Sequence, residues 1–113
     1  MTANTSRSRK SKGMKFQNEI RDLLLEKFSH LEDDDIRTAS SGVPGMDLLL
    51  SPAAQKLFPF ACEAKRTEKL SVPQWWEQAK ANSTERLKPL IITKQNRKEP
   101  LVILSLDDFL SLF

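Results

Sequence analysis

Asp47 follows a turn rich in glycine and serine, and sixteen residues later Glu63 and Lys65 end a largely apolar stretch that starts at Phe58. In an extended chain side chains i and i+2 share a face, so Glu63 and Lys65 project together while Cys62 and Ala64 point away. With the segment of Asp47 paired beside them, two carboxylates and an ammonium converge at one sheet end. That set suits Mg²⁺: two hard carboxylate oxygens, a backbone carbonyl (here that of Ala64) and waters, with room for a phosphate oxygen. The lysine would then position an attacking water or offset charge in a phosphoryl transition state. Without a cation, burying Asp47 beside Glu63 is costly, because each disfavours the other's ionisation. The plainer alternative is an exposed Glu63–Lys65 ion pair at a strand end.

These residues need elements to hold them. A helix is expected over residues 13–30, where Phe16, Ile20, Leu23, Leu24 and Phe28 recur at the 3.6-residue period. The acidic run from Glu32 to Asp35 reads as a solvated loop, residues 36–39 as a short edge strand and residues 40–45 as a turn. Residues 46–50 and 58–65 read as strands, with one helical turn at 53–57 between them. Ser71, Val72 and Pro73 open a second helix that runs through Trp75, Trp76, Ala79 and Ala81 to about Arg86. Residues 89–93 and 101–104 are strands on either side of a polar turn, and a closing helix is expected over 107–113. The order α-β-β-β-α-β-β-α makes this an α/β domain, a mixed sheet flanked by helices.

Gly45-x-Asp47 and Glu63-x-Lys65 on successive strands, behind a helix that opens Lys12-Gly13-x-x-Phe16, resemble the PD-(D/E)XK nuclease superfamily. Its small phage endonucleases and archaeal-type Holliday junction resolvases are the nearest in look, over residues 12–104. The resemblance implies a restriction-endonuclease-like α-β-β-β-α-β core and a Mg²⁺-dependent phosphodiesterase, with Mn²⁺ able to substitute. Asp47, Glu63 and the Ala64 carbonyl would hold the metal, and Lys65 would be catalytic. The resolvases carry a metal-supporting glutamate on the first helix, four residues after the glycine. Here that position is Gln17, with Glu19 close by. Either Glu19 takes the role through a shifted register, or Gln17 holds a water at the metal. A glutamine on the helix after the lysine strand is a further superfamily feature, which points to Gln78; a solvent-facing glutamine is the alternative.

The chain has 113 residues, 39% apolar and 29% charged, enough for one self-sufficient core. A single cysteine, Cys62, excludes an internal disulfide and a cysteine-cluster zinc site. A reducing cytoplasm is expected, that of a bacterial host if the chain is phage-encoded. Five of the eighteen basic residues and none of the fifteen acids lie in residues 1–15. A mobile basic arm over residues 1–12 is therefore expected ahead of a single domain over 13–113. Arg7, Arg9, Lys10 and Lys12 of this arm suit phosphate, a solubility tail being the alternative. Ser41, Arg66, Lys69 and Lys94 complete the expected nucleic-acid contacts. Ser41 is equally an ordinary turn residue.

The resulting expectation is a DNA endonuclease acting on branched or distorted duplex, read by shape rather than sequence. Two incisions call for two sites, hence a homodimer. Its candidate faces are the Trp75-Trp76 helix and the apolar closing segment Leu106, Phe109, Leu110, Leu112 and Phe113. The alternative is a non-catalytic nucleic-acid-binding module with the same fold; an intact Asp47, Glu63 and Lys65 set speaks against it.

Overall fold

In the computed structural model, residues 6–40 and 45–113 are described. Ser41, the turn residues 42–44 and the first five residues of the expected arm lie outside them. The elements in chain order are α1 (Ser6–Lys27), β1 (Ile36–Thr38), β2 (Leu48–Leu50), α2 (Pro52–Leu57), β3 (Phe60–Arg66), α3 (Val72–Asn82), β4 (Lys88–Lys94), β5 (Leu101–Ile103) and α4 (Leu106–Leu110). The acidic run, expected as loop, winds into a single 3₁₀ turn at Asp33–Asp35.

Helix α1 departs most from expectation, beginning at Ser6 rather than residue 13. The described part of the arm, with Arg7, Arg9, Lys10 and Lys12, is therefore helix. Arginine and lysine are good helix formers, and extending an existing helix costs far less than nucleating one. Gly13 costs only about 1 kcal/mol in a helix interior and does not interrupt it. Phe16 and Ile20 are buried as their spacing predicts, but Leu23 is exposed, because the packing side turns to Leu24 and Leu25 on that stretch.

Strand β3 lies between β2 and β4. It pairs with β4 in parallel, Glu63 opposite Ile91 and Lys65 opposite Thr93, and β4 pairs with β5 antiparallel. The β1–β2 hairpin is antiparallel, Thr38 opposite Leu48. A backbone bond joins the two pieces: the Asp47 N–H donates to the Cys62 carbonyl at 3.0 Å. Alternation along β3 then sorts the core into two layers. Cys62 and Ala64, with Leu90 and Ile92 of β4, pack against Phe16 and Ile20 of α1. On the opposite face Ile91 packs against Trp75 and Ala79 of α3. Of the adjacent tryptophans, Trp75 enters the core and Trp76 is half-buried beside it.

Two side chains brace the frame. Arg21 donates to the carbonyls of Ile36 and Asp33, tying α1 to the start of β1. The Ser51 hydroxyl donates to Asp35 and accepts the Ala54 N–H, which caps α2. Helix α4 is shorter than expected and leaves Leu106, Phe109, Leu110, Leu112 and Phe113 exposed, so the closing segment stays free while Trp75 does not. Among the described residues no helix is long and apolar enough to cross a membrane.

Leu48 is 1% exposed between α1 and the seam of the two strand pieces. Leu48→Ala is expected to cost about 3 kcal/mol and to lower the melting temperature by roughly 10 °C or more. Calorimetry checks this; an unchanged midpoint would remove Leu48 from the core.

Candidate active site

Asp47 is the knot of the seam. Its N–H donates to Cys62, its carbonyl accepts the Ala39 N–H at 2.9 Å, and its carboxylate Oδ2 accepts the Ala64 N–H at 2.7 Å. Backbone and side chain together fix the carboxylate against β3. The turn ahead of it requires glycine, since Gly45 has φ +114°, a conformation an L side chain resists.

Glu63 and Lys65 share the face of β3 that looks at α3. Glu63 is only 2% exposed, and its Oε1 accepts from Asn82 Nδ2 at 2.7 Å. The same Asn82 nitrogen reaches the Gly45 carbonyl at 3.2 Å, linking the turn before Asp47 to Glu63. Lys65 Nζ donates to Gln78 Oε1 at 2.7 Å. The match has a simple metric basis. Two strand residues advance about 6.6 Å and four helix residues about 6 Å, so i,i+2 on β3 meets i,i+4 on an α3 running the opposite way. Gln78, which the family resemblance implies at the site, meets Lys65, and Asn82, not among the expected site residues, meets Glu63.

Burial pushes both acids up from the usual carboxylate range. For Asp47 the Ala64 N–H and the Lys65 charge partly oppose that rise. For Glu63 the Asn82 donor opposes it, while the charge of Asp47 adds to it. The two carboxyl groups lie close enough for each to feel the other's charge. Such a pair holds a proton between its members or accepts a cation in its place. Behind it, Cys62 is fully buried and its thiol is pushed far up, first by burial and then by the two carboxylates. A thiol so held is no nucleophile.

The family model described as "Phage putative PDDEXK endonuclease" matches residues 8–112. The chain belongs to this family. No match to a curated protein or to a solved structure was found. Membership in a phage PDDEXK endonuclease family sets the chemistry to be explained as phosphodiester hydrolysis in a nucleic acid. It also agrees with the mixed α/β core observed here, and nucleases of this superfamily generally use divalent metal ions.

The residues present fit such an ion. Among the described residues no three His, Cys, Asp or Glu side chains converge, so a cation would find Asp47 and Glu63 and take its other ligands from backbone, amide or water oxygens. Gln17 supplies an independent sign: its Oε1 is buried with no hydrogen-bond partner among the described residues. Gln17 lies one turn, about 6 Å, before Arg21 on the side of α1 that faces β1. Glu19 is exposed and lines a different cleft, with Lys12, Lys15, Phe16, Arg66 and Lys94. Arg7, Arg9 and Lys10 are exposed on α1, as is Lys69 on the loop after β3.

The acids' raised pKa values carry a sign. Metal-free protein gains stability from each while it is protonated, and loses that contribution as pH rises through the folded-state value. Asp35, held below the usual range by Ser51, acts in the opposite sense, so the useful quantity is a difference. In chelator, Glu63→Gln is expected to gain stability relative to wild type as pH rises from acid to neutral. Melting curves across that range test it; a constant or shrinking difference would contradict the buried-acid assignment.

Proposed function

We propose that this chain is a Mg²⁺-dependent deoxyribonuclease, an endonuclease that cuts branched or distorted duplex as Holliday junction resolvases do. The observation that carries the reading is the Asp47–Glu63 carboxylate pair, half-buried Asp47 held by the Ala64 N–H and buried Glu63 by Asn82, with Lys65 held two residues on by Gln78. In this reading Asp47, Glu63 and the Ala64 carbonyl hold the ion, for which Mn²⁺ substitutes. When bound, the ion supplies Lewis-acid polarisation of the scissile phosphate and lowers the pKa of water. Lys65 offsets charge that builds on the phosphoryl oxygens or orients the attacking water, and Gln78 fixes its ammonium. Asn82 keeps Glu63 aimed by donating to one of its two oxygens, leaving the other for the ion. Gln17 offers its unpartnered Oε1 to a water of the ion's shell, and Glu19, in its separate cleft, takes no part.

Cations on α1 and at the ends of β3 and β4 face phosphate, which positions DNA without reading bases and so favours recognition by shape. Paired incision needs two sites, and the exposed closing segment, where Phe113 is 92% exposed, supports a homodimer. The cytoplasm of the phage's bacterial host is the setting that this reading implies.

The test is incubation with labelled four-way junction, flap, duplex and single-stranded DNA, with Mg²⁺ and with chelator. Junction cleavage in Mg²⁺ alone is expected, and Asp47→Asn, Glu63→Gln and Lys65→Met should each lower it roughly 10²- to 10³-fold or more. Wild-type rates in either carboxylate variant would overturn the site. A strict monomer by light scattering, with and without junction, would replace paired incision by nicking.

A further inference from the structure

Away from the carboxylate pair, the described surface carries a concentration of positive charge at one place. Two adjoining clefts, of about 310 and 190 Å³, open between the N-terminal half of α1 and the ends of β3 and β4. Six cations line them, Arg9, Lys12, Lys15, Arg66, Lys69 and Lys94, against two acids, Glu19 and Glu68. Glu68 is engaged by Arg66 at 3.4 Å, while Arg9, Lys12, Lys15, Lys69 and Lys94 form no ion pair with a described residue. Arg66 is also braced, donating to the Lys94 carbonyl and to Asn96 Oδ1 at 2.8 Å, so its guanidinium is set before any ligand arrives.

A second observation is independent of the clefts. The first ten residues of α1 carry Arg7, Arg9, Lys10, Lys12 and Lys15 and no acid. Cations at a helix N-terminus oppose the macrodipole, and like charges at i,i+3, as in Arg9, Lys12 and Lys15, repel. The fold holds together charges that an anion would reconcile. The place fits as well. Arg66 follows Lys65 directly and pairs with Lys94, while Lys65 pairs with Thr93, whose hydroxyl donates to the Lys65 carbonyl at 2.9 Å. Lys65 points to the α3 face and Arg66 to the α1 face, at the same carboxyl end of the sheet.

We propose that this basic cleft seats backbone phosphates of the DNA strand next to the scissile one, so that the strand crosses the carboxyl end of β3 and β4 to reach Lys65. The proposal rests on the nuclease reading and adds a substrate-binding site to it. Free lysines supply the attraction, and the braced Arg66 offers a fixed fork against which a phosphate registers.

The test is fluorescence anisotropy of labelled junction, duplex and single-stranded DNA with the full chain in chelator, where no cutting occurs, over a range of salt. Lys12→Gln with Lys15→Gln is expected to weaken binding roughly tenfold or more and to flatten the salt slope by about one to two units. Lys69→Gln, on the loop and outside α1, should do the same to a smaller degree, which keeps the proposal testable if the α1 variant folds poorly. Lys27→Gln with Lys56→Gln loses equal charge elsewhere and should bind nearly as wild type. Unchanged binding by the α1 and loop variants, or an equal loss in the Lys27–Lys56 control, would overturn the cleft while leaving the nuclease reading intact. Cleft-dependent binding by a protein that cuts no DNA in Mg²⁺ would instead overturn the nuclease reading and keep the cleft.

Discussion

Two neighbouring carboxylates, one buried and the other half-buried, cannot both carry charge at little cost unless something positive joins them. Asp47 and Glu63 are such a pair, and much of the chain's architecture can be traced to holding them in place. Asp47 sits where the β1–β2 hairpin joins β3, its N–H on Cys62 and its carboxylate on the Ala64 N–H. A single residue therefore closes the sheet and presents an acid. Glu63 is held from the other side by Asn82, which also grips the Gly45 carbonyl at the turn leading to Asp47. Displacing either acid would disturb the other through that shared amide.

The lysine is placed by the same geometry. α3 packs on the sheet through Trp75 and Ala79 against Ile91 of β4, the residue opposite Glu63, and this apolar contact sets the distance from α3 to β3 as well. Once it is set, the near-equal rise of two strand residues and four helix residues delivers Gln78 to Lys65 and Asn82 to Glu63 without further adjustment. Packing energy in the core is in this way converted into orientation at the polar end. On the opposite face the same strand sends Arg66 toward α1, so one strand end serves both chemistry and charge.

Much of this could be read from the sequence, because the relevant signals were local. The period-two alternation of residues 60–66 fixed which side chains share a face, and the 3.6-residue spacing of Phe16 and Ile20 fixed the buried side of α1. Gln78 entered through the family resemblance, as a glutamine facing the site; its hydrogen bond to Lys65 is seen only in the structure. Asn82 was not legible, since its role arises from a helix-to-strand register that no single segment encodes. The start of α1 escaped for another reason. Its basic first turns look like a solvated arm, and only the cooperative extension of a packed helix makes them ordered. Leu23 shows the converse, a residue on the expected stripe left exposed because the neighbouring layer had turned away.

The central claim is that the Asp47–Glu63 pair is built to hold a divalent cation. The most direct measurement is the melting temperature at neutral pH as a function of Mg²⁺ concentration, for wild type and for Asp47→Asn with Glu63→Gln. A ligand that binds only the folded state raises stability by RT ln(1 + [L]/Kd). Wild type should therefore melt progressively higher as Mg²⁺ increases above its Kd, while the double variant, well folded in chelator, should show no such rise. An equal rise in both proteins, or none in wild type at millimolar Mg²⁺, would contradict the claim.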